Sequence, residues 1–165
     1  MDISDKISRL EQVISSRQDW LFRFAYMRIG NRADAEDVVQ NTFLKVFQSL
    51  GRLASTDELD LYLLQSVSNA CKDYFRGKPL RTVALTEAEQ IAGNDPDSAI
   101  HDEYLRIARL LDSLPPEQSE VIRLKCYDGL TFKDIAFMEG IPEATAKSRY
   151  RYGIMNIQSK LKVKS

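Results

Sequence analysis

The sequence predicts an all-α protein of two small helical domains joined by a flexible acidic linker. Three observations lead there. Apolar residues recur three and four apart through most of residues 5–76 and again from residue 101, the period of an amphipathic helix. Gly and Pro are scarce before residue 77, whereas residues 79–103 carry six acids against one base, Arg81. The stretch "TFKDIAFMEGIPEATAKSRYRYGI", residues 131–154, reads as two short helices around a tight turn.

The elements follow in order. A first helix spans 5–29 and stops at Gly30-Asn31, a second runs from about Asp34 to Leu50 before Gly51, and a third from about Glu58 to Arg76 before Gly77 and Pro79. Ile29, Val38, Phe43, Val46, Phe47, Leu63, Val67, Cys71 and Tyr74 are the candidates for a three-helix core over residues 1–78. Residues 79–100, with "GNDPDS", have the composition of a linker. Helical periodicity resumes over 101–113, 116–128, 131–138 and 142–162, giving a second domain from 101 to 165. Pro116 suits a first helical position, and Asp128-Gly129 ends that helix. Thr131 and Asp134 have the spacing of a capping box, in which a hydroxyl accepts the orphan amide three residues on.

Composition excludes several classes. With 44% apolar and 28% charged residues and no apolar run near the roughly 20 residues that span a bilayer, a cytoplasmic location without membrane insertion is expected. The start "MDISDKISRLEQ" has no signal-peptide pattern. Cys71 and Cys126 are expected to be reduced and packed in cores. No CxxC or His/Cys cluster supports a metal, and no cofactor or small-molecule substrate is expected. The one histidine, His101, has no nucleophile beside it and is expected at a solvated helix start. With no nucleophile–base pair and no Gly-rich phosphate loop, the chain is not expected to be an enzyme.

The last two helices form a helix-turn-helix, in which the second helix enters the DNA major groove. "MEGIP" supplies the turn, with Gly140 at a positive φ and Pro142 opening the second helix. At about 100° per residue, Ala146, Tyr150, Gly153, Ile154, Ile157 and Leu161 share the core side. Thr145, Ser148 and Tyr152 lie opposite, with Arg149 and Arg151 on the flanks and Lys147 near the boundary, as groups for base edges and phosphates. A net charge of −1 and a pI near 5.9 are unusual for a DNA binder, but they average over unlike parts. From Lys147 to the end there are six bases and no acid.

Residues 114–154, "LPPEQSEVIRLKCYDGLTFKDIAFMEGIPEATAKSRYRYGI", resemble region 4 of the extracytoplasmic-function sigma factors of bacterial RNA polymerase. In the first domain "DAEDVVQNTFLKVF", 34–47, resembles region 2.2, and "YLLQSVSNACKDYFRGK", 62–78, resembles regions 2.3 and 2.4. Both halves match in the right order. The resemblance implies that Asp37, Gln40, Asn41 and Phe43 dock on core RNA polymerase. It implies that Asn69, Lys72, Tyr74 and Arg76 meet the promoter −10 element, with Asn69 beside the pocket for an extruded base. Thr145, Lys147, Ser148, Arg149, Arg151 and Tyr152 would meet the −35 element. Core polymerase, promoter DNA and an anti-sigma factor are the implied partners.

The chain departs from that pattern at Tyr62, where tryptophan is usual, and at Gln65 and Ser68, usually arginine. Tyr152, Ile154, Met155 and Asn156 stand where basic residues are common. Fewer cations imply weak DNA affinity for the free protein and a small salt slope. Two weak contacts joined by a tether act together when a polymerase holds both. The residues by themselves also fit a stand-alone helix-turn-helix regulator, with residues 1–77 as a dimerisation or sensing domain and a symmetric DNA site.

Overall fold

A computed structural model of the chain describes residues 2–76 and 98–164. The expected linker up to residue 97, and the Gly77 expected to close the third helix, lie outside the described residues. The chain divides into two compact units, Met1–Leu105 and Arg106–Ser165. Among the described residues no helix is long and apolar enough to cross a membrane.

In the first unit α1 (Ile3–Ile29) packs against both α2 (Arg32–Ser49) and α3 (Leu59–Phe75), which also pack on each other. Asp2 caps α1 by accepting from the Asp5 amide at 2.9 Å, and Asn31 caps α2 by accepting from the Asp34 amide at 2.9 Å. Each bond satisfies one of the orphan donors of a helix start. Gly30, at φ 75°, ends α1 in the left-handed region, its N–H donating to the Tyr26 carbonyl. A short 3-10 turn, Leu50–Arg52, closes α2.

The core is α1 (Leu21, Phe24, Met27), α2 (Ala35, Val39, Thr42, Val46) and α3 (Leu63, Leu64, Val67, Cys71). Of the expected core, Ile29, Val46, Leu63, Val67 and Cys71 are buried. Val38, Phe43 and Tyr74 are only half-buried, and Phe47 is 52% exposed, so those four assignments are corrected. The reason is that α2 carries two stripes at helical spacing. The one holding the small Ala35 and Thr42 faces inward, with the Thr42 hydroxyl donating to the Val38 carbonyl at 2.8 Å.

A fourth helix, α4 (Ser98–Asp112), begins three residues before the expected start, and its first part belongs to the first unit. His101 is 1% exposed, not solvated. The ring fills a space beside Tyr26 and Tyr104, and aromatic packing outweighs its polarity because Nδ1 shares a hydrogen bond with the Tyr26 hydroxyl.

The second unit contains the end of α4, α5 (Pro116–Ile122), α6 (Phe132–Glu139) and α7 (Glu143–Lys164). Pro116 stands in the first turn of α5 as expected. The helix expected over 116–128 widens into a π turn at Arg123–Tyr127, where the Asp128 N–H donates to the Arg123 carbonyl at 2.9 Å. That turn directs Arg123 and Leu124 inward and Cys126 outward, so Cys126 is exposed rather than in a core; both cysteines are free thiols.

α5 and α6 pack on α7. Leu111, Leu114 and Ile122 are packed with Ile107, Tyr150, Ile154 and Ile157. Gly153 lies where a Cβ would stand 2.5 Å from Ile122 Cδ1, so α5 and α7 meet at a residue without a side chain. Leu161, expected on the core side, is 57% exposed. α7 has 22 residues, about 33 Å at 1.5 Å per residue, against 7 in α5 and 8 in α6, and outruns the helices it packs on.

Candidate functional site

On the first unit two grooves flank α2. One lies between α1 and α2, holds about 400 Å³, and is lined by Ile7, Ile14, Gln40, Phe43, Leu44 and Phe47, among others. Leu44 is 61% exposed and Phe47 52%. Of the residues expected to dock on polymerase, this groove gathers Gln40 and Phe43. Leu44 and Phe47 were missed by sequence reasoning. Their signal was the run 40-43-44-47 at helical spacing, on a helix whose inward places were already filled by Ala35, Val39, Thr42 and Val46. Asp37 and Asn41 are exposed and joined, Asn41 Nδ2 donating to Asp37 Oδ2 at 3.4 Å.

Asn41 also lines the second groove, about 500 Å³ between α2 and α3, together with Lys45, Tyr62, Ser66, Asn69 and Tyr74. The structure thus brings together Asn41 and Asn69, which the resemblance assigned to different partners. Tyr62, Ser66 and Asn69 share a side of α3, and with Lys45 they offer an aromatic ring, hydroxyls, an amide and a cation. Unstacked bases are held by that mixture of groups. Tyr74 donates its hydroxyl to Asp34 Oδ2 at 2.6 Å, which ties the end of α3 to the start of α2. Lys72 is exposed but does not line the groove, and Arg76 pairs with Asp73 at 3.2 Å in the open, where such pairs contribute little. Ser68 is 4% exposed. It points inward, so the usual cation there is not one missing from the surface.

On the second unit the helix-turn-helix has the expected local chemistry. Thr131 Oγ1 accepts from the Asp134 amide at 3.1 Å. Gly140 sits at φ 65°, and the Ile141 N–H donates to the Ala136 carbonyl at 3.1 Å. The Pro142 carbonyl accepts from the Thr145 and Ala146 amides, so α7 proper starts one residue later, at Glu143. Replacing Thr131 by alanine is expected to cost about 1 kcal/mol, read as a lower denaturation midpoint.

Along α7, Lys147, Arg151 and Tyr152 are exposed, Thr145, Ser148 and Arg149 half-buried, and Ala146 and Gly153 buried on the far side. Lys147 Nζ lies 3.7 Å from Glu143 Oε1, and the Arg151 guanidinium sits 5.3 Å from the Tyr152 ring centre. Asn156 turns back to α5, donating to Gln118 Oε1 at 2.7 Å. Its amide is engaged in a surface bond between α7 and α5 and adds no charge to the cation face. The hydrogen bond with Cys126 Sγ and the charge repulsion between the two groups hold the Tyr150 phenol above its ordinary pKa. Among the described residues no cluster of His, Cys, Asp or Glu could hold a metal ion.

Comparison with known proteins agrees with the two-part layout. Residues 13–79 match the family described as Sigma-70 region 2, and residues 104–153 match Sigma-70, region 4. The chain is similar to the "ECF RNA polymerase sigma factor SigE" of Mycolicibacterium smegmatis, 29% identical over 157 residues, covering 92% of this chain and 61% of that protein. It is also similar to the "ECF RNA polymerase sigma factor BldN" of Streptomyces coelicolor, 29% identical over 141 residues, covering 81% and 53%. The chain therefore spans only about half to three-fifths of those relatives' lengths. Among solved structures, CnrH in complex with the cytosolic domain of CnrY shares the fold, with a TM-score of 0.72 and 20% identity over 94% of this chain and 89% of that one. So does the sigma factor RpoE of Bartonella quintana, solved with the anti-sigma factor NepR, with a TM-score of 0.63 and 22% identity over 98% and 99%.

Proposed function

Since the chain belongs to the extracytoplasmic-function sigma factors of the sigma-70 family, we propose that it binds core RNA polymerase and directs promoter recognition and melting. The observation that carries this reading is the order of surfaces along one chain. An outward α2 with exposed apolar and amide groups comes first, then a polar groove beside Asn69, then a capped helix-turn-helix edged by Lys147, Arg149 and Arg151. On this reading Asp37, Gln40, Asn41 and Phe43 dock on polymerase, and Asn69, Lys72, Tyr74 and Arg76 hold the −10 strand. Thr145, Lys147, Ser148, Arg149, Arg151 and Tyr152 meet the −35 element. The work is binding and strand separation, not bond making, and takes place in the cytoplasm. On this reading regions 1–78 and 101–165 are the working domains joined by 79–100, although the compact units divide at Leu105, within α4. An anti-sigma factor is a further proposed partner, supported by one neighbour of this fold, RpoE of Bartonella quintana, having been solved with the anti-sigma factor NepR.

The −10 and −35 assignments separate in one experiment on polymerase–promoter complexes. Asn69→Ala is expected to leave DNase protection over the promoter intact while permanganate-reactive thymines in the −10 region disappear. Replacing Lys147, Arg149 and Arg151 together by alanine is expected to weaken promoter binding across sequences and to lower the salt slope by about 2–3, at roughly 0.9 per phosphate contact. Unchanged melting in the first variant, or an unchanged slope in the second, would contradict these roles.

A further inference from the structure

The ridge of α7 that faces away from α5 and α6 carries no charge. At about 100° per residue, Thr145, Ser148, Tyr152, Met155 and Ser159 fall within about 80° of one another, opposite the buried Ala146 and Gly153. Lys147 and Arg151 stand on one flank of this ridge and Arg149 on the other. Its two large members are in solvent, Tyr152 at 51% exposure and Met155, one turn on, at 55%. The Arg151 guanidinium lies 5.3 Å from the Tyr152 ring centre, within cation–π range, which favours one placement of the ring. Asn156 is drawn off the ridge by its bond to Gln118. A helix lying in the major groove turns its flanks to the phosphates of the two strands and its outward ridge to the base edges. Here the flanks hold the cations, and the ridge holds hydroxyls, an aromatic ring and a thioether. The apolar group that a base pair presents in that groove is the thymine C5-methyl.

We propose that Tyr152 and Met155 read thymine methyl groups in the −35 element, so that this chain takes part of its promoter specificity from apolar contact. The inference rests on the −35 reading of α7 and adds to it a ligand chemistry. Thr145 and Ser148, on the same ridge nearer the start of the helix, serve the hydrogen-bonding base edges, and the flanking cations serve phosphates. The two kinds of contact answer differently to salt. Phosphate contacts release counterions and weaken as salt rises, whereas burial of a ring and a thioether against methyl groups releases water and no ions. Affinity is then salt-sensitive and the preference for thymine is not.

Replacing thymidine by deoxyuridine, which removes only the methyl, tests this. Promoter fragments recovered by run-off transcription are randomised over the −35 region, and the complex of core polymerase with this protein selects from them. The selected sites are expected to hold thymine, and resynthesis with deoxyuridine at those positions to weaken binding about fourfold for each methyl in contact. That ratio is expected to stay level between about 50 and 200 mM salt while both affinities fall. Tyr152→Ala combined with Met155→Ala is expected to bind the two duplexes alike. Tyr152→Phe, which keeps the ring, is expected to retain the difference, and Tyr152→Arg to raise the salt slope by about 0.9 while losing part of it. All three changes fall on exposed side chains, so the melting temperature is expected to move little. Equal binding of the thymidine and deoxyuridine duplexes by the parent would overturn the inference and leave the −35 reading standing. So would a difference that persists in the double variant. A transcribing complex that enriches no sequence over the −35 region would refute the −35 reading itself.

Discussion

Leu44→Asp combined with Phe47→Asp is expected to reduce association with core RNA polymerase at least about 100-fold. Both side chains stand in solvent, at 61% and 52% exposure, on the lip of the α1–α2 groove beside Gln40 and Phe43. Burying an exposed leucine or phenylalanine in an interface is worth about 1.5–3 kcal/mol, and each 1.4 kcal/mol is tenfold in affinity. With each side chain already about half covered, the two together are worth about 1.5–3 kcal/mol, and the desolvation of two introduced carboxylates carries the loss past a hundredfold. Neither residue supports the core, so the melting temperature is expected to move little, as for exposed positions generally. Titrating labelled polymerase with parent and variant, beside thermal denaturation of both, checks the pair of outcomes. A large fall in stability would instead show that Leu44 and Phe47 serve the fold.

Gly30→Ala carries the largest expected cost to stability. At φ 75° an L-residue meets a left-handed penalty of about 1–2 kcal/mol, and the added methyl collides with the Tyr104 ring. Gly140 has a similar φ of 65°, but a Cβ there would have nothing within 4 Å. Gly140→Ala should therefore show the backbone penalty alone. Gly30→Ala should cost about 2–4 kcal/mol, or roughly 10–20 °C in the melting of the first unit. In a Tyr104→Ala background the same change is expected to fall back to the backbone penalty. That coupling is the mark of a direct contact. Equal effects of Gly30→Ala with and without Tyr104 would refute the packing argument.

Helix ends were legible because they are local. Gly30 and Gly140 take the left-handed cap, Asn31 and Thr131 the N-cap, and each bond is made within five residues of the one that signals it. The cation-edged face of α7 was legible for the same reason, since a regular helix turns residue number into direction. The outward face of α2 was not, because Ala35, Val39, Thr42 and Val46 compete with Phe43 and Phe47 as an inward stripe. Small residues win there by letting three helices approach. His101 was misplaced because its partner, Tyr26, is 75 residues away. Nothing near His101 in sequence announces the socket at Gly30. The same holds for the α2–α3 groove, whose amides and hydroxyls come from two helices and meet only when these pack. The π turn at Arg123–Tyr127 leaves no compositional mark, and with it went the burial of Cys126.

Run-off transcription by core bacterial RNA polymerase on fragmented genomic DNA, with and without this protein, tests the central claim most directly. The expected result is a set of discrete transcripts that need the protein and share sequence near −10 and −35, lost with Leu44→Asp/Phe47→Asp. Absence of protein-dependent transcripts, together with tight salt-sensitive binding of the protein alone to a palindromic duplex, would contradict the account and mark a stand-alone regulator.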